Sequence, residues 1–123
     1  MFSTASRITP YAAASTRGSR RRSGTAPIAP DGGVAAPGDV YGQTKRCLEI
    51  IAQAIGSAGL SLQSVIRTRV MLTDMSRWEE AARAHGEVFA GVKPACTFVE
   101  VKGLINRAWL VEIEADCVAD TEA

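Results

Sequence analysis

The chain has no apolar run approaching the ~18 to 20 residues that a bilayer span requires, and no apolar signal-peptide core follows its N-terminus. Neither an integral membrane protein nor a secreted one is expected. Its three cysteines, Cys47, Cys96 and Cys117, are odd in number and lack C-x-x-C spacing. That pattern suits neither a disulfide framework nor a zinc site and points to a reducing, cytoplasmic setting. Aromatic residues make up only 6% of the sequence, and no base-stacking motif is evident, which argues against RNA as a partner. Histidine occurs once, as His85.

The first 30 residues have no acidic side chain. They hold five arginines (Arg7, Arg17, Arg20, Arg21, Arg22), whereas residues 31–123 hold nine bases and thirteen acids, so a net charge of +1 divides into +5 and −4. Residues 1–22 are rich in Ser, Thr, Ala and Arg without apolar periodicity, and an irregular segment is expected there. Four readings stay open: a flexible basic tail, an organellar transit peptide, a small phosphate-binding patch around Arg20–Arg22, and a shifted reading frame. The last needs only CGN codons for the three arginines, since a one-nucleotide shift then permits valine or alanine at each.

From Gly38 onward the pattern is regular. Val40, Thr44, Cys47, Leu48, Ile51, Ala52, Ile55 and Ala58 recur at helical spacing and end at Gly59, which predicts a helix of about five turns. In VIRTRVMLT, Ile66, Thr68, Val70 and Leu72 alternate with Arg67, Arg69 and Met71, which predicts a strand with one buried face. Ser76 and Glu79 form an S-x-x-E capping box before a second amphipathic helix that carries Trp78, Ala81, Ala82, His85, Val88, Phe89 and Val92. His85 lies on its apolar side and reads as a packing residue, and Trp78 and Trp109 read as packing or subunit-contact residues. Thr97–Val101 and Leu110–Val118 predict two further strands. Three strands are a poor platform for two helices, so an α+β fold needs at least one more, drawn from residues 5–36.

Four segments carry a family resemblance: Ser23-Gly24-Thr25-Ala26-Pro27, the stretch QTKRCLEIIAQAIGSAGLSLQSVIRTRVMLTDM, Lys93-Pro94-Ala95-Cys96-Thr97-Phe98-Val99-Glu100-Val101, and Val111-Glu112-Ile113-Glu114-Ala115. In order and spacing they resemble the YjgF/RidA family of reactive enamine and imine deaminases, over residues 23–119, with residues 120–123 as a tail. The resemblance implies a chorismate-mutase-like α+β fold, a mixed sheet covered on one face by two helices and assembled as a homotrimer with small-molecule clefts between subunits. It implies cofactor-independent hydrolysis of an imino or enamino acid to the keto acid and ammonia.

By the same resemblance Glu112 is the acid that handles water and Ser23 lines the cleft, as does Tyr11 after Pro10. Thr97 and Phe98 stand beside the substrate position. Where the family has an arginine that forks onto the substrate carboxylate, this chain has Cys96. Losing such a fork typically costs ~2 to 5 kcal/mol, roughly 30- to 4,000-fold in affinity. Cys96 then has two readings: a nucleophile toward a carbonyl or imine carbon, or a small packed hydrophobe. Arg67, Arg69, Lys93 and Lys102 are candidate replacement cations. The expected function is a hydrolase with altered substrate preference; the alternative is a non-catalytic metabolite-binding member.

Overall fold

The computed structural model describes residues 13–17 and 20–119. Its strands are β1 (Ala13–Arg17), β2 (Arg20–Thr25), β3 (Val65–Leu72), β4 (Ala95–Glu100) and β5 (Val111–Val118), and its helices are α1 (Val40–Ser57) and α2 (Trp78–Phe89). The strands form one mixed sheet in the order β1-β2-β5-β3-β4, with β3 and β4 parallel and the other pairs antiparallel. The parallel pair follows from the chain path, because α2 lies between β3 and β4 and returns the chain to the same end of the sheet.

The extra strand that two helices demanded comes as a hairpin, and the irregular segment expected over residues 1–22 is corrected from Ala13 onward. Strand alternation divides the three arginines of β2 between the two faces of the sheet. Arg20 and Arg22 are exposed, and Arg22 Nε donates to Asp116 Oδ1 at 2.8 Å. Arg21 lies on the opposite face and donates to the Arg20 carbonyl at 3.1 Å.

Helix α1 begins at Asp39, whose carboxylate accepts the Gly42 N–H at 3.0 Å. It ends at Gly59 (φ +83°), where the Leu60 N–H closes back onto the Ile55 carbonyl. Val40, Cys47, Leu48, Ile51 and Ile55 are buried against Val70, Leu72, Val111, Ile113, Ala115 and Cys117 of the sheet. Gln43, fully buried, holds the 101–110 loop: it donates to the Ala108 carbonyl at 3.0 Å and accepts the Leu110 N–H at 2.8 Å.

Two local expectations are corrected. The capping box does not form: Asp74 accepts both the Ser76 N–H and the Ser76 hydroxyl, organising a short 3-10 turn over Met75–Arg77, and α2 starts at Trp78 with no side-chain cap. The second concerns Ile66, expected on the buried face but 52% exposed. A bulge between Val65 and Arg67 places both Ile66 and Arg67 opposite Asp116, so Val65 and Thr68 are both buried. Among the described residues no helix is long and apolar enough to cross a membrane.

Candidate functional site

The helices cover one face of the sheet, and the chemistry divides between the two faces. On the open face β5 presents Glu112, Glu114 and Asp116 by strict alternation with buried Val111, Ile113, Ala115 and Cys117. Strand β3 presents Arg67, Arg69 and Met71 beside them, with Arg67 opposite Asp116, Arg69 opposite Glu114 and Met71 opposite Glu112. Strand β2 adds Arg22, opposite Asp116, and Gly24, opposite Glu114. Across the other edge of β3, Thr97 of β4 stands opposite Arg69.

Arg22, Arg67, Arg69, Glu114 and Asp116 of this face, with Thr68, line an open cavity of about 310 Å³. Within it Arg22 pairs with Asp116 at 2.8 Å, Arg69 Nη1 reaches Glu114 Oε1 at 3.5 Å, and Arg67 Nη2 donates to Thr97 Oγ1 at 3.4 Å. Glu112 is half-buried at the next position along β5. Burial, and secondarily the neighbouring Glu114, push its carboxyl above the ordinary glutamate value. A carboxyl so placed holds a proton more tightly and serves better as an acid or base near neutrality.

The helix-covered face carries a second set. Cys96, Thr68, Ala115 and Ser23 form one row across four strands. Cys96 is exposed, whereas Cys47 and Cys117 are buried. Burial raises the Cys96 thiol above its ordinary value, and a hydrogen bond from Thr68 partly offsets that. Behind them the Thr68 hydroxyl and His85 Nε2 are 2.8 Å apart. Ser23 is 2% exposed, and its hydroxyl meets no partner among the described residues. Phe98 packs edge-on to Trp78 and His85 beneath α2.

Of the residues singled out in the sequence, Glu112 and Thr97 therefore share the open face, while Cys96, Ser23 and Phe98 lie on the covered one. Tyr11 lies outside the described residues. A single chain does not bring Cys96 to Glu112. Sequence spacing did not reveal the Thr68–His85 contact, because a strand and a helix seventeen residues apart share no period. The arginines of the cavity did leave a signal, the alternation of Arg67 and Arg69 against Thr68 and Val70.

A family model described as endoribonuclease L-PSP matches residues 3–119. The chain belongs to the YjgF/RidA family. Its relatives include the uncharacterised protein SCO2049 of Streptomyces coelicolor, 40% identical over 79 residues that make up 64% of this chain and 59% of that protein. Among solved structures, Rv2704 of Mycobacterium tuberculosis, a YjgF/YER057c/UK114 family member, is 35% identical with a TM-score of 0.80, covering 95% of this chain and 93% of its own. TdcF of E. coli, solved with bound serine, is 28% identical with a TM-score of 0.80, covering 90% and 89%. The YjgF/RidA fold is thus that of this chain, a mixed sheet with two helices.

Proposed function

We propose that the chain hydrolyses a small imine, enamine or related carbonyl compound in a cleft between copies of itself, assembled as a homotrimer, with Glu112 handling the water. The observation that carries this reading is Glu112 itself, half-buried on the uncovered sheet face with its carboxyl raised by burial and by Glu114. In the proposed step the Glu112 carboxylate takes a proton from water as the water oxygen bonds to the C=N carbon. The protonated Glu112 then returns that proton to nitrogen to give the carbinolamine; Glu112 next takes the carbinolamine hydroxyl proton and passes it to nitrogen as the C–N bond breaks, and ketone and ammonia leave. Atoms and charge balance without a redox partner.

Family membership supports a small-molecule site, and serine bound to the relative TdcF supports a ligand of amino-acid size. Cys96, where the family resemblance expects an arginine, argues for a shifted substrate preference. The alternative reading, a metabolite-binding member without turnover, rests on the same substitution. A cytoplasmic location fits the unpaired cysteines, and an organellar address in residues 1–22 is the alternative to it.

The test is a coupled assay in which an amino-acid oxidase generates 2-imino acids and keto-acid formation is followed. Wild type is expected to accelerate hydrolysis, and Glu112→Gln to lose at least ~100-fold in kcat/KM, within the usual contribution of a general base, with assembly and fold unchanged. Activity in Glu112→Gln equal to wild type overturns the assignment. Activity confined to Cys96→Arg favours the binding-only alternative.

A further inference from the structure

The 101–110 loop is held at both ends and near its close. The Val101 N–H donates to the Leu72 carbonyl at 2.8 Å and the Thr73 N–H to the Leu110 carbonyl at 3.1 Å, while Gln43 takes hold of Ala108 and Leu110. Asn106 closes the turn between them, its side chain accepting the Ala108 N–H at 2.8 Å and its carbonyl the Trp109 N–H at 3.0 Å. From Lys102 to Arg107, by contrast, no backbone N–H donates to an acceptor among the described residues. Lys102, Gly103, Leu104 and Arg107 of that stretch line an open cavity of about 400 Å³ together with Thr73 and Trp109.

The charge of this cavity is one-sided. Among the described residues Lys102 and Arg107 form no ion pair, whereas Arg22, Lys45, Arg46, Arg69 and Arg77 each have one, and no acid is among the lining residues. The acids next in sequence are committed to the turn before α2: Asp74 accepts the Ser76 N–H and hydroxyl, and Glu100 accepts the Met75 N–H at 3.1 Å.

We infer that the 101–110 loop carries a binding site of its own, apart from Glu112 and the open-face cavity, and that its ligand is a small phosphate monoester. Two like charges set around one cavity repel each other, and a dianion between them reverses that cost. A phosphate also offers three acceptor oxygens, more than two cationic side chains need, and unengaged main-chain N–H groups are donors suited to the remainder. Gly103 lets a ligand approach the backbone closely, since it brings no side chain and a methyl group there would meet nothing within 4 Å. Leu104 and Trp109 supply an apolar wall, a seat for the organic half of an ester that inorganic phosphate cannot use. The open-face cavity differs on this point, because Glu114 and Asp116 line it and would repel a dianion.

The experiment titrates the full chain with phenyl phosphate, and in parallel with phenyl sulfate, which has the same shape and a single charge, and with inorganic phosphate. Isothermal calorimetry gives the affinities and backbone amide shifts give the place. Wild type is expected to bind phenyl phosphate saturably, at least ~10-fold more tightly than phenyl sulfate, and to bind inorganic phosphate more weakly than the ester, with the largest shifts between Lys102 and Arg107. Lys102→Gln and Arg107→Gln should each weaken phenyl phosphate by at least ~10-fold, the loss of one hydrogen bond to a charged group, and raised salt should weaken it further. Arg83→Gln on α2 should match wild type. Lys102 and Arg107 are exposed, so the variants should fold, and a thermal melt checks that they do. Absence of saturable binding by wild type, unchanged affinity in both single variants, phenyl sulfate or inorganic phosphate bound as tightly as the ester, or shifts centred outside residues 102–107 overturns the inference. Imine hydrolysis is a separate measurement, since no lining residue takes part in it: binding without turnover leaves this site standing, and turnover without binding removes it alone.

Discussion

His85 shows how much one side chain in this chain depends on its surroundings. It is 8% exposed, hydrogen-bonded to Thr68 and packed against the Phe89 ring at 4.7 Å, and burial lowers its pKa from the ordinary 6.5. The unfolded chain therefore binds the proton more readily than the folded one. The neutral-histidine contribution to stability is complete above about pH 6.5 and is lost as pH falls from there through the lowered folded-state value. Glu112, raised in the fold, contributes a slope of opposite sign at acid pH, so the informative comparison is between variants. Thermal melts from pH 7.5 to 5 should show a smaller acid loss in His85→Gln than in wild type; equal losses would remove His85 as the cause.

At this scale the sequence was partly legible. It showed that His85 faces the apolar side of its helix, because one helix has one period, and that Glu112 shares a strand face with Glu114. It did not show Thr68 as the partner of His85, or the division of Cys96 and Glu112 between opposite sheet faces. Both depend on which strand lies beside which, and no spacing within one segment encodes that.

Among the elements, α1 is read most directly from its residues, and its first turn hides an inversion of the usual rule. Replacing a glycine inside a helix by alanine ordinarily stabilises by about 1 kcal/mol. At Gly42 a methyl group would stand 2.6 Å from Asp39 Oδ2 and 2.7 Å from the Ala36 Cβ, displacing the carboxylate that caps the helix. Gly42→Ala should therefore destabilise by ~1 to 2 kcal/mol, the worth of a lost N-cap, in urea denaturation. A gain in stability would show that the cap tolerates displacement.

The other elements were legible in proportion to how local their causes are. Both helices and strands β3 and β5 announced themselves by period and β4 by its β-branched and aromatic run, whereas the hairpin of β1 and β2 did not, because its arginine-rich strand borrows Asp116 from β5, 94 residues away. The bulge at Ile66 was hidden for the same reason. Regular alternation through VIRTRVML is the simpler pattern, and only pairing with β5 reveals the extra residue.

At the scale of the whole molecule, one face of the sheet lies under two helices and the other presents charged side chains, with Ile66 and Val118 exposed at 52% and 38%. The proposed homotrimer would place copies against that open face. Sedimentation is accordingly expected to give a trimer, with a melting temperature that rises with protein concentration, as linkage requires when assembly favours the folded state. High salt should weaken the association, because the face is laced with exposed ion pairs. A salt-independent monomer would remove the intersubunit cleft from the proposed function.

The distribution of sulfur has a practical consequence. Two thiols are sealed in the core, at 0% exposure for both Cys47 and Cys117, and the third, Cys96, opens to solvent on the outermost strand β4. The natural chain thus carries a single accessible attachment point for a fluorophore or spin label, with no cysteine to add or remove. Dipolar distances between labels on separate copies would report the geometry of the assembly without a crystal.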